Sequence, residues 1–106
     1  MRKLLIAAMA LAAMATAANA TSGPGCLRVV NVAYDDVLNV RARADASSRT
    51  VGVLVPREHG IISLRSACVP RSKPWGQRWC PVTVYDGDRT YRGWVKARFV
   101  RDSECP

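Results

Sequence analysis

Four cysteines constrain this chain more than any other feature. Cys26, Cys68, Cys80 and Cys105 are spaced 42, 12 and 25 residues apart, so no Cys-x-x-Cys pair exists. That spacing argues against a redox centre and against a tetrahedral zinc site, both of which use close cysteine pairs. What remains depends on the compartment. In a short exported domain an even number of cysteines reads as a disulfide framework.

The first twenty residues, MRKLLIAAMALAAMATAANA, supply the compartment. Arg2 and Lys3 form a charged start, Leu4 to Ala15 an apolar stretch, and Ala18-Asn19-Ala20 a small-x-small cleavage pattern. Those three features in that order describe a cleaved signal peptide (residues 1–20) rather than a buried Ala-rich helix. The apolar stretch is too short to span a hydrocarbon core of about 30 Å, so no transmembrane segment is expected after cleavage. Cys26 follows Gly23-Pro24-Gly25, the wrong context for a lipid anchor. The expectation is a single exported domain over 21–106, periplasmic or secreted.

The expected domain holds 86 residues and carries all four cysteines but no methionine. A chain of that size buries only about 60–65% of its unfolded surface, so extra staples are expected. Four cysteines allow three pairings. Cys68–Cys80 with Cys26–Cys105 is favoured. Cys68 closes one apolar run and Cys80 opens the next, so antiparallel neighbours would set them face to face across loop 69–78. The other two sit near the ends of the domain, and chain ends often lie close together.

The body reads as all-β. Short runs are expected at Leu27–Tyr34, Val37–Arg41, Thr50–Val55, Gly60–Leu64, Trp79–Tyr85 and Tyr91–Val95, with one turn of helix at Lys96–Val100. Tyr34-Asp35-Asp36 signals a turn and Asp86-Gly87-Asp88 a hairpin. Pro70, Pro74 and Gly76 make 69–78 a loop. Five or six short strands at spacings near ten residues give a small barrel or sandwich.

Several of these segments resemble the bacterial SH3-like (SH3b) domain family. They are Leu38-Asn39-Val40-Arg41, Val51-Gly52-Val53-Leu54, Trp79-Cys80-Pro81-Val82, and Gly93-Trp94-Val95 with Phe99-Val100, in the family's order. The likeness covers about 37–100. It departs where the family has Gly-Pro after the arginine and this chain has Arg43-Ala44. The resemblance implies a partly open barrel of five to six strands and a non-enzymatic module, some members of which bind peptidoglycan.

Candidate binding residues follow from chemistry. Alternation puts Leu38 and Val40 on one face of their strand and Asn39 and Arg41 on the other. Arg41 either braces the following loop or contacts a ligand. Trp79 and Trp94 are core plugs or ligand platforms. Arg71 and Lys73, with Arg65 and Arg78, surround an exposed Trp75 in a basic loop suited to anions or sugars. A second basic set, Arg89, Arg92, Lys96, Arg98 and Arg101, is interleaved with Tyr91, Trp94 and Phe99. The whole chain carries a formal charge of +8, and loss of Arg2 and Lys3 leaves +6. In an exported protein this favours anionic envelope polymers over nucleic acid. Peptidoglycan stem carboxylates, phosphate-bearing lipids and surface glycans all qualify.

Catalysis finds no constellation. His59 is the only histidine and sits in a turn, paired cysteines leave no thiol nucleophile, and neither GxSxG nor an acid–base carboxylate pair stands out. No cofactor and no metal are expected. Two readings remain: a non-catalytic module recognising peptidoglycan or another envelope component, and a structural or inhibitory protein that grips a partner protein through loop 65–78.

Overall fold

A computed structural model describes residues 25–106. The signal-peptide segment lies outside the described residues. Seven strands form one antiparallel sheet: β1 Cys26–Val29, β2 Leu38–Arg41, β3 Thr50–Leu54, β4 Ile61–Leu64, β5 Trp79–Asp86, β6 Arg89–Lys96 and β7 Val100–Ser103. Their order across the sheet is β3-β2-β6-β5-β4-β1-β7. The only helical elements among the described residues are 3-10 turns at Trp75–Gln77 and Ala97–Phe99.

The β5–β6 hairpin is the longest ladder. Gly87, at φ 64, takes the first of its two turn positions, where a side chain would be strained. The turn pairs Asp86 with Arg89, and pairing runs unbroken to Trp79 opposite Lys96. Pleating then turns Cys80, Val82, Val84, Gly93 and Val95 inward, all buried, and leaves Trp79, Trp94 and Lys96 on the other face.

One core cluster takes Leu27 from β1, Leu38 and Val40 from β2, Leu54 from β3, Ile62 from β4, Val82 and Val84 from β5, Val95 from β6 and Val100 from β7. Both edge strands therefore contribute to the same interior, so the sheet bends around it. At the bend β6 comes close to β2. A Cβ on Gly93 would lie 2.5 Å from Val40 Cγ1 and 2.8 Å from the Arg41 carbonyl oxygen, which is why glycine stands there.

Among the described residues there are seven strands, not five or six. The missed one is β7, an edge strand in which Val100 alone is fully buried and Arg101 and Asp102 face solvent. One apolar residue in four leaves no alternation to read. The first run is also shorter than expected. Asn31, at φ 58, ends it just beyond Val29, in the left-handed region that asparagine tolerates. The Lys96–Val100 turn of helix is a 3-10 turn over Ala97–Phe99.

Both disulfides are present. Cys26–Cys105 ties the start of β1 to the segment after β7, whose Ser103 pairs with Cys26. Cys68–Cys80 closes the 69–78 loop beside the Val69–Trp79 bridge, where each backbone amide donates to the other residue's carbonyl at 2.8 and 2.6 Å. With sequence separations of 79 and 12, chain entropy assigns about 4–5 and about 3 kcal/mol respectively.

Two outcomes follow in urea unfolding. Removing Cys26 and Cys105 together (C26S/C105S) lowers stability more than removing Cys68 and Cys80 (C68S/C80S); the reverse order would mean that loop strain or residual structure dominates. Gly93→Ala loses about 1–3 kcal/mol, as overpacked sites do. A loss under about 0.5 kcal/mol, the size of an ordinary surface change, would show that β6 can move off β2 at no cost.

Candidate functional site

The sheet's outer face and the Ala97–Phe99 turn meet in a groove of ≈ 320 Å³. It is lined by Val37, Leu38, Asn39, Arg41, Ala46, Trp79, Lys96, Arg98 and Phe99. Each side chain arrives there for a local reason. Asn39 and Arg41 are the outward residues of β2, Trp79 and Lys96 are opposed at the open end of the β5–β6 ladder, and the 3-10 turn swings Arg98 and Phe99 alongside. Lys96 Nζ stands 5.0 Å from the Trp79 ring centroid, a cation–π contact that holds the ammonium at the groove. No Asp or Glu lines it.

Arg41 serves two purposes. Its Nη1 donates to the Ser48 carbonyl at 3.2 Å and to Thr50 Oγ1 at 2.9 Å, bracing the 42–49 loop, while the side chain also borders the groove. The loop has its own frame. Ser48, buried, donates its hydroxyl to the Asp45 carbonyl at 2.7 Å and accepts from the Arg43 amide at 3.2 Å. Asp45 Oδ1 accepts from the amide and the hydroxyl of Ser47, each at 2.9 Å. Those bonds, and then the nearby Arg43 and Arg41 charges, hold the Asp45 carboxyl below the ordinary aspartate value. Serine and aspartate thus order this turn.

A second groove, of ≈ 520 Å³, shares Arg98 with the first and is lined by Asn31, Pro74, Trp75, Gly76, Arg98 and Arg101. Trp75 is not the exposed loop aromatic the sequence led us to expect. It is half-buried, packs against the core, and donates its indole Nε1 to the Val100 carbonyl at 3.2 Å. Arg101 Nη1 donates to the same oxygen at 2.9 Å.

The candidate residues therefore separate. Arg41 and Trp79 share the first groove, and Trp75 lies in the second. Trp94 pairs in register with both Arg41 and Pro81, on the outer face beside the first groove without lining it. Arg71 and Lys73 are exposed and line neither groove. Their backbone is what matters locally: Arg78 donates from Nε to the Lys73 carbonyl at 2.7 Å and from Nη2 to the Arg71 carbonyl at 3.1 Å.

Lys96, Arg98, Phe99 and Arg101 belong to the grooves although the sequence marked them only as a basic, aromatic-rich stretch. A usable signal existed for Lys96. Counting outward from the Gly87 turn pairs it with Trp79. No signal existed for Arg98, which is placed by tertiary contacts: its carbonyl accepts from Asn31 Nδ2 at 3.0 Å, and the neighbouring Phe99 carbonyl accepts from the Val30 amide at 2.8 Å. Among the described residues no group of three or more His, Cys, Asp or Glu could hold a metal ion, and no helix is long and apolar enough to cross a membrane.

No family model, no curated protein and no solved structure matches this chain.

The Asp45 turn has a pH signature. Its folded pKa lies below its unfolded one, so its support for the loop is complete above the unfolded value, near ~3.9, and is lost as pH falls through the folded value. A carboxyl-carbon NMR titration is expected to find the Asp45 midpoint lower than in Ser47→Ala, which removes the hydroxyl donor. Coincident midpoints would show that this bond is absent in solution.

Proposed function

We propose that this chain is an exported, non-catalytic binding module of the SH3-like kind that recognises peptidoglycan or another envelope component through the groove between Arg41, Trp79 and Lys96. The observation that carries the reading is that groove: three cations and two aromatic rings around one opening that no carboxylate lines. Aromatic faces suit the apolar faces of sugars, and guanidinium groups suit carboxylates and phosphates. Two disulfides suit an oxidising compartment. The SH3-like assignment is supported by the bend of the open sheet around one core and by the adjacency of LNVR and GWV, with Arg41 paired to Trp94.

A second reading, a protein partner gripped by residues 65–78, is favoured by how firmly that loop is held. The Cys68–Cys80 bond, the Val69–Trp79 bridge, the Arg78 bonds and the Trp75 indole all fix it before any partner arrives. Preorganisation of this kind lowers the entropic cost of a protein contact.

Sedimentation with purified sacculi, at low and high salt, separates the two. Under the first reading oxidised 21–106 is retained in high salt, and Trp79→Ala weakens retention about tenfold, the worth of a desolvated ring contact. Retention that vanishes in salt would reduce the interaction to diffuse charge. Retention absent at both salts would transfer the search to protein partners, with loop 65–78 as bait.

A further inference from the structure

The two grooves are neighbours with Arg98 as their common wall. Arg41, Lys96 and Trp79 line the first, Trp75 and Arg101 line the second, and Arg98 lines both. Neither lining contains an acidic side chain; the carboxylate beside them is Asp36, in a smaller adjoining groove that shares Val37, Leu38 and Phe99 with the first and Asn31 with the second. Both aromatic residues are pinned by contacts of their own. Trp79 is covered by Lys96 and bridged to Val69, and Trp75 is bonded to the Val100 carbonyl that also holds Arg101. Arg98 is positioned by its backbone, bonded to Asn31, while its side chain stays exposed. Gly76 lies beside Arg98, where a Cβ would make an ordinary contact of 3.6 Å with Arg98 Cβ, and both residues line the second groove.

We infer that the paired grooves bind one linear anionic glycan that crosses Arg98, with sugar rings against Trp79 and Trp75 and acidic groups against the four cations. The inference deepens the binding reading above and rests on the same first groove. Its new content is the second groove, the polymeric form of the ligand and the bridging part of Arg98. The chemistry argues for a polymer. Two aromatic platforms separated by an arginine match a chain in which ring faces and negative charges recur, and a ligand engaging both grooves gains the effective concentration of its second half. Guanidinium groups offer a fork of donors to carboxylate or phosphate, and each is worth more near an aromatic wall than in open water.

The test uses the oxidised protein and tryptophan fluorescence with oligogalacturonate of increasing length, a hexose-phosphate polymer, a neutral chitin oligomer and a single-stranded oligonucleotide of matched charge. The expected result is affinity that rises at least tenfold from a disaccharide to a long oligogalacturonate. Arg98→Ala abolishes that rise, and Arg101→Ala weakens the long ligand more than it weakens the disaccharide. Comparing the carboxylated with the phosphorylated glycan identifies which acidic group is preferred. Length-independent affinity with a silent Arg101→Ala would overturn the two-groove arrangement. Equal binding of the oligonucleotide, or of the chitin oligomer, would overturn the anionic-glycan assignment. Salt-resistant binding to sacculi with no binding to either anionic glycan would overturn this inference and leave the envelope reading standing; glycan binding without sacculus binding would do the opposite.

Discussion

The two-residue turn at Gly87-Asp88 governs more of this molecule than any other contact. It fixes the β5–β6 register from Asp86–Arg89 to Trp79–Lys96, and with period-two pleating a slip of one residue would exchange the buried face for the solvent face. A slip of β6 would take Val95 out of the core and Lys96 out of the groove, and a slip of β5 would do the same to Val82, Val84 and Trp79. The neighbouring strands are built on this hairpin. β4 pairs along β5 from Leu64 to Ile61, and β2 reaches β6 at Arg41–Trp94 where Gly93 leaves room for Val40. Core and candidate site are thus two faces of one register.

The interior that this hairpin organises is thin and mostly valine. Val40, Val82, Val84, Val95 and Val100 are fully buried, joined by Leu54, Ile62 and the Cys80 half of a disulfide. Branched side chains pack well on a pleated sheet, but so few of them leave little margin against chain entropy. The disulfides fill that gap in different ways. Cys26–Cys105 holds the β1–β7 edge, farthest in sheet order from the hairpin's support for β2 and β3. Cys68–Cys80 acts locally, fixing the base of a loop that then stands against the second 3-10 turn, where the Ala97 amide donates to the Arg78 carbonyl at 2.9 Å.

Charge is distributed to match. The chain is strongly basic, and self-repulsion is a cost to any compact state. Several arginines offset it by donating to backbone carbonyls rather than to carboxylates: Arg41 to Ser48, Arg78 to Lys73 and Arg71, Arg89 to Val51, and Arg101 to Val100. Such bonds satisfy strand ends and loops while preserving the positive charge. The same residues can therefore order the scaffold and still attract an anion, which is the property the proposed site requires.

The amino-acid sequence by itself determined the all-β class and the approximate places of six strands, and it favoured, among three possible pairings, the one the two disulfides adopt, because each depends on local alternation, turn residues or spacing along the chain. It also determined the inward and outward faces of the LNVR strand, where Leu38 and Val40 are buried and Asn39 and Arg41 are not. The tertiary structure alone decided the rest. β7 is a strand only because β1 offers it a partner, since its own residues alternate too weakly to declare it. Trp75 is a half-buried anchor because a carbonyl twenty-five residues away receives its indole. Arg98 became the wall between two grooves because Asn31, sixty-seven residues earlier, binds its carbonyl. Spacing along a chain reports which residues can be neighbours within an element; which elements close on one another is settled by packing around a shared core, and the grooves lie where those closures meet.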